Sequence, residues 1–217
     1  MARAQTSTPC IWVLAGTNGA GKSSVAGALL RESGGDYFNP DEVARMLRGR
    51  DPSLSVEQAN AEAWRIGLKQ LEKAVTKGHD YFFETTLGGS SISARLDQAL
   101  AKGREVRIWY AGLKSPELHI ARVAARVKAG GHAIPEADIR RRFDSSRRNL
   151  ITLLPRLTEL KVYDNSTEGD PRQGNAPAPV LVLHWQSGAI VAPQNLRKTP
   201  EWAKPIVAQA LKHTRAR

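Results

Sequence analysis

Gly16-Thr17-Asn18-Gly19-Ala20-Gly21-Lys22-Ser23 fits the pattern G-x-x-x-x-G-K-[ST], and its flanks decide how it is read. Cys10-Ile11-Trp12-Val13-Leu14-Ala15 is an apolar run of strand length, and Ser24-Val25-Ala26-Gly27-Ala28-Leu29-Leu30 opens a helix. Strand, glycine loop and helix in that order make a phosphate cradle. The glycines let successive backbone N–H groups turn toward phosphate oxygens, and the helix start adds the positive end of its dipole. Gly16, Thr17, Asn18, Gly19, Ala20, Gly21, Lys22, Ser23 and Ser24 are therefore the expected nucleotide site. Lys22 is placed to reach the β- and γ-phosphates and the Ser23 hydroxyl to ligate Mg²⁺. The expected ligand is a nucleoside triphosphate.

Working outward, the chain alternates strand-like and helix-like segments. Asp36-Tyr37-Phe38 leads into Asn39-Pro40-Asp41-Glu42, where Asn39 caps, Pro40 takes the first helical position and two acids complement the dipole of a short helix through Leu47. Ser55-Val56-Glu57-Gln58 is a capping box for a long helix to about Lys77; the face with Trp64, Leu68, Leu71 and Val75 reads as packing, and Gly78 is the stop. Tyr81-Phe82-Phe83-Glu84-Thr85-Thr86 is a strand ending in an acid and two hydroxyls, followed by a helix near Ser91 to Lys102. Val106 to Ala111 is the next strand, and Ser115-Pro116-Glu117 starts the helix that carries Arg122 and Arg126. Gly130-Gly131-His132-Ala133-Ile134-Pro135 is a hinged loop before a helix holding Arg140-Arg141-Arg142-Phe143 that runs to about Leu154. Leu160 to Asp164 closes the series.

This alternation predicts an α/β fold of the P-loop NTPase type, three layers around a mostly parallel sheet with right-handed crossovers. Residues 166–179 shift to Gly, Pro and Asn and read as a connector, after which a hairpin at Val180–Val191 and a helix near Glu201 to His213 end the chain. The whole is read as one domain over residues 1–217, with a core at about 10–166, a lid at about 126–142 and the hairpin and helix at about 178–214.

Composition narrows the classes. One cysteine, Cys10, excludes an internal disulfide, and five scattered histidines give no metal-site spacing. The residues Met1 to Ser7 lack the apolar stretch of a signal segment and no run approaches a membrane span, so the expected location is cytoplasmic. The net charge of +11 suits either nucleic acid or a polyanionic small substrate; without arginine–aromatic alternation, the second is favoured.

A phosphate loop alone does not choose among kinases, GTPases and motors. The guanine-reading N-K-x-D is absent, as is the motor-type run of four apolar residues before Asp-Glu. Acids instead stand at the ends of the next two strands, Asp41 and Glu84, where ligands bind in an open parallel sheet. Asp41 can orient an acceptor hydroxyl and take its proton; Glu84 can bind acceptor hydroxyls or an Mg²⁺-bound water. Arginines on a mobile lid can close over the triphosphate: Arg126 and Arg141 are the catalytic candidates, with Arg122, His132, Arg140 and Arg142 beside them. The pattern is that of a small-molecule kinase.

The chain resembles the zeta-toxin family of P-loop kinases. The resemblance rests on Gly16 to Ser23, Phe38 to Asp41, Phe83-Glu84-Thr85-Thr86-Leu87, Arg122 to Val127 with Gly130 to Pro135, Ile139 to Phe143, and Tyr163 to Ser166. It implies an ATP- and Mg²⁺-dependent kinase acting on the 3′-hydroxyl of the amino sugar in UDP-N-acetylglucosamine, with an antitoxin protein as a partner. By that likeness Asp41 matches the general base, Glu84 and Thr86 the acceptor positions, and Lys22 and Ser23 the nucleotide site. Arg126 and one of Arg140 to Arg142 match the arginines that clamp the transferred phosphate. Glu84-Thr85-Thr86 stands where the toxins proper carry Glu-Gly-Thr. The alternative readings are a kinase for another nucleotide or an antibiotic hydroxyl, and an ATP-gated nucleic-acid-binding protein.

Overall fold

The computed structural model describes residues 8–26, 37–167 and 178–214. The expected stop of the first helix at Arg31 to Gly35, the N-terminal Met1 to Ser7 and most of the 166–179 connector lie outside the described residues.

Strand β1 (Cys10–Ala15) runs into the glycine loop, and helix α1 opens at residue 23 and is described to residue 26. There follow β2 (Tyr37–Phe38), α2 (Pro40–Arg50), α3 (Val56–Lys77), β3 (Tyr81–Thr85), α4 (Ser90–Ala101), β4 (Glu105–Gly112), α5 (Pro116–Lys128), α6 (Glu136–Leu153) and β5 (Glu159–Asp164). After the connector come β6 (Val180–Gln186), β7 (Ala189–Ala192) and α7 (Lys204–His213). The seven strands lie in the order β2-β3-β1-β4-β5-β6-β7. The first five are parallel, while β6 and β7 add antiparallel at the β5 edge.

Local chemistry explains the boundaries. The Asn39 side chain accepts from the Asp41 N–H at 2.9 Å and the Glu42 N–H at 3.4 Å, with Pro40 next in line, so α2 starts where its cap dictates. Ser55 and Gln58 form both halves of the capping box on α3, and Gly78 ends it at φ +71°. The lone departure on α6 is at its end, where Leu154–Arg156 tightens into a 3-10 turn around Pro155.

Alternating strand residues feed two faces of the sheet. Ile11, Val13, Ile108, Leu160 and Val162 join Leu71 and Val75 of α3, Leu96 of α4, Leu150 of α6 and Ile206 of α7 in the main core. Leu14, Phe82, Trp109 and Val25 of α1 form a smaller cluster on the other side. The C-terminal segment seals the β5 edge and the core beneath it: Trp185, Trp202 and Ile206 are 1%, 4% and 0% exposed, so their burial supplies packing and not a pocket wall. The consequence for function is positional. The glycine loop, Asp41 and Asn165 fall just past the carboxyl ends of parallel strands, and Glu84 is the next-to-last residue of β3.

Candidate active site

The glycine loop is held from below by two neighbouring strands. At Gly16, φ is +143° and a Cβ would stand 2.2 Å from the Ala111 carbonyl oxygen of β4, so only glycine passes here. Asn165, 5% exposed and just beyond β5, donates its Nδ2–H to the Ala20 carbonyl at 2.9 Å. Lys22 curls back over the loop: its Nζ donates to the Gly16 carbonyl at 2.8 Å and stands 3.4 Å from Glu84 Oε1. The other Glu84 oxygen accepts the Tyr37 hydroxyl proton. Burial, with the Glu84 charge next, pushes the Tyr37 phenol well above its ordinary value, so it remains a donor.

His119 of α5 secures the loop from the side. It is 1% exposed, and its Nδ1 lies 2.8 Å from the Asn18 carbonyl, which assigns the proton to Nδ1. Burial, reinforced by the Lys22 charge, brings the imidazole down from 6.5 to about 4, against a raising contribution from the Asn18 carbonyl. Because the folded form binds its proton less readily than the unfolded one, the stability contribution is complete above 6.5 and is lost as pH falls toward about 4. Urea unfolding at pH 7 and pH 5 should therefore show a loss of about 2 kcal/mol in wild type that His119→Gln lacks. The same decline in both proteins would assign the sensitivity elsewhere.

Three cavities meet at Asp41. A small one of about 80 Å³ lies between the loop and the acids, walled by Asn18, Lys22, Asp41, Glu84, Thr86 and Arg126. A second, of about 410 Å³, extends from Asp41, Glu84 and Thr86 to the apolar walls Phe38, Trp64 and Leu68. The third, of about 360 Å³, lies on the α2 side with Asp41, Arg45, Arg48, Arg126 and His132 around it. The acids expected at the two strand ends thus come together with the phosphate loop. Glu84 has a second engagement through its ion pair with Lys22.

The arginines separate. Arg126 of α5 reaches the junction: its Nη1 is 3.9 Å from Asp41 Oδ2 and its Nη2 donates to the His132 carbonyl at 3.3 Å. Of the α6 run, Arg142 is the one facing the cleft, where it lines the large cavity and donates to Asn18 Oδ1 at 2.8 Å. Arg141, singled out from the sequence, is 57% exposed and pairs with Asp138 on its own helix. The difference is one of helical phase: Ile139, Ser146, Leu150 and Leu153 are the buried stripe of α6, and Arg142 borders it whereas Arg141 points off it. Arg140 pairs with Glu117 at 2.7 Å, and Arg122 donates to the Thr167 carbonyl at 3.4 Å, so neither side chain lines these cavities.

Helix α6 also fixes the loop after β3. Ser146 donates to the Thr86 carbonyl at 2.6 Å, Ser145 to Gly88 at 2.8 Å, and Asn149 to Leu87 at 2.8 Å. The loop needs this support, because buried Leu87 sits at φ +53°. Trp64 is the feature that a packing reading of α3 misassigned: it is 46% exposed and walls the large cavity. Tyr37 and His119 carried no sequence signal, and Asn165 only its place in the Tyr163 to Ser166 stretch with no role attached, since each acts through a contact far along the chain.

The donor set fits magnesium of one kind. Ser23 is exposed at the mouth of the loop, and among the described residues no three His, Cys, Asp or Glu side chains are grouped to cage an ion. A magnesium ion carried on phosphate oxygens, with a single hydroxyl from the protein, matches those residues; an all-protein cage does not.

A phosphate loop between β1 and α1 of a parallel sheet, with acids at the next strand ends and arginines entering from α5 and α6, defines a nucleotide-site protein of the P-loop kinase fold. The zeta toxin family model matches residues 2–169, and the chain belongs to that family. An uncharacterized protein of Haemophilus influenzae is 31% identical over 128 residues, 59% of this chain and 88% of that protein. Among solved structures, a chain of the native AvrRxo1-ORF1:-ORF2 complex matches with a TM-score of 0.64 at 16% identity, covering 97% of this chain and 72% of that one. That complex has also been solved with ATP. A chain of the PezAT chromosomal toxin-antitoxin system of Streptococcus pneumoniae matches at TM-score 0.54 and 18% identity, over 81% of this chain and 76% of that one. At such identities the structural likeness is one of fold. Among the described residues no helix is long and apolar enough to cross a membrane.

Proposed function

We propose that the protein is an ATP- and Mg²⁺-dependent kinase that phosphorylates a sugar hydroxyl of a UDP-sugar, with UDP-N-acetylglucosamine as the leading acceptor. The carrying observation is the place of Asp41, which borders all three cavities and shares the smallest with Lys22 and Arg126. Membership of the zeta-toxin family and the ATP-bound AvrRxo1 complex support ATP as donor. The PezAT likeness supports an antitoxin protein as a partner.

In this reading the triphosphate lies along the glycine loop with Lys22 at its β- and γ-phosphates. Ser23 would hold magnesium, which when bound screens the phosphate charge. Glu84 and Thr86 orient the acceptor so that one hydroxyl meets Asp41. The hydroxyl oxygen attacks the γ-phosphorus, its proton passes to the Asp41 carboxylate, and the bond to the β,γ-bridging oxygen breaks with its electron pair leaving on ADP. Arg126 meets the charge that spreads over the moving phosphoryl group.

Arg126→Ala should lower turnover by roughly 10²- to 10³-fold while changing ATP affinity less than about fivefold. Equal loss of both would make Arg126 a ground-state binder only. The proposal itself is tested by incubating the protein with ATP, Mg²⁺ and a panel of nucleotide sugars and nucleotides and reading products by mass. One added phosphate on UDP-N-acetylglucosamine is expected; hydrolysis of ATP with every acceptor unmodified would reject the acceptor.

A further inference from the structure

Arg126 reaches the small cavity on a long side chain with many rotamers, so something must aim it. The turn that follows α5 does so. The helix caps at Ala129, and Gly130 comes next at φ +90°. The Gly130 N–H donates to the Val127 carbonyl and the Gly131 N–H to the Arg126 carbonyl, each at 2.9 Å. These two bonds are the Schellman closure of a helix, in which the second residue past the cap ordinarily packs its side chain on the one five residues back.

Between Gly131 and Arg126 that packing is turned around. Gly131 brings no side chain, and the Arg126 stem fills the space instead: an added Cβ would stand 2.7 Å from Arg126 Cγ and 3.3 Å from its Cδ. The two glycines therefore answer different needs. Gly130 supplies the left-handed turn, whereas Gly131 has no positive φ and is glycine for room alone.

The next residue completes the clasp. The His132 carbonyl accepts from Arg126 Nη2 at 3.3 Å, while Arg126 Nε is closed off from water with no hydrogen-bond partner among the described residues. A buried donor left unpaired is unfavourable, so the guanidinium is held by the packing of its stem and not by its own best bonds. That packing leaves Nη1 3.9 Å from Asp41 Oδ2, beside the small cavity that Lys22 also walls.

We infer that Gly131 is a positioning residue for phosphoryl transfer: its missing side chain lets the turn after α5 clasp the Arg126 stem and aim the guanidinium at the phosphoryl group passing Asp41. The inference rests on the kinase reading above and adds to it a residue that acts through Arg126.

The test is a double-mutant cycle in the full chain, comparing Gly131→Ala, Arg126→Ala and the pair with wild type for turnover, affinity for a non-hydrolysable ATP analogue and melting temperature. Gly131→Ala should lower kcat roughly 10- to 100-fold, the effect of misplacing a group by about an ångström, with analogue affinity within about threefold. Added to Arg126→Ala it should lower kcat by less than about twofold, because the group it misplaces is already gone. The melting temperature reads the clasp apart from catalysis. Gly131→Ala should lower it by about 3 °C or more in wild type and by less than half of that beside Arg126→Ala, where only the Arg126 carbonyl oxygen, 3.0 Å from the added Cβ, still crowds it. A Gly131→Ala protein that folds only beside Arg126→Ala would be the same result in stronger form; failure to fold in both backgrounds would overturn it. So would Gly131→Ala turnover within about threefold of wild type, a loss that multiplies with that of Arg126→Ala, or equal melting shifts in the two backgrounds. Wild type that transfers phosphate to no acceptor would instead count against the proposed function, with the melting cycle left to judge the clasp.

Discussion

Lys22→Ala is expected to remove measurable turnover and to weaken ATP binding by roughly a hundredfold or more, the loss of about 3 kcal/mol of charge-assisted hydrogen bonding. The size follows from where the ammonium sits. Lys22 is 9% exposed, clamped between the Gly16 carbonyl and Glu84, so its charge acts with little screening by water. The same substitution leaves half-buried Glu84 with only the Tyr37 hydroxyl as its described partner. A thermal melt must therefore accompany the binding assay. Folded Lys22→Ala protein that binds ATP within threefold of wild type would remove the glycine loop from the mechanism.

Asp41→Asn should lower phosphoryl transfer by roughly 10²- to 10⁴-fold while leaving ATP affinity within about threefold. The amide keeps the shape but cannot take the proton. Local structure should tolerate the change, because the cap of α2 is Asn39 and not Asp41. The ion pair it disturbs, Arg126 to Asp41 at 3.9 Å, joins side chains 38% and 49% exposed, worth under about 1 kcal/mol. A large loss of turnover therefore reports chemistry. Turnover equal to wild type would reject Asp41 as the base.

Much of the frame was legible because it is written in local signals. The loop from Gly16 to Ser23 names its own flanks, the Asn39 and Ser55 caps mark helix starts, and each acid at a strand end has a place dictated by a parallel sheet. What local signals could not supply is side-chain direction. Three consecutive arginines on α6 differ only in azimuth, and the stripe of Ile139, Ser146 and Leu150 is what turns Arg142 inward and Arg141 out. Phasing on those residues would have separated them. Trp64 reads as an ordinary core aromatic by spacing, yet Gly67 one turn on lets Phe38 pack where a side chain would stand, leaving Trp64 beside an open space. His119 and Asn165 contact the loop across 101 and 145 residues, separations that no window of sequence spans.

Part of the wall around Asp41 comes from one piece of chain, with Glu84, Thr86, Arg126 and His132 completing it from elsewhere. Residues 40–77, the α2–α3 pair set between β2 and β3, carry Asp41, Arg45, Arg48, Asn60 and Trp64, whereas the glycine loop is braced by β4, α5 and the end of β5. On the reading proposed for these cavities, residues 42–77 wall the acceptor's space without touching the loop that holds the donor. Descent with change in that single cassette can alter which molecule receives the phosphate while the machinery that delivers it is inherited intact.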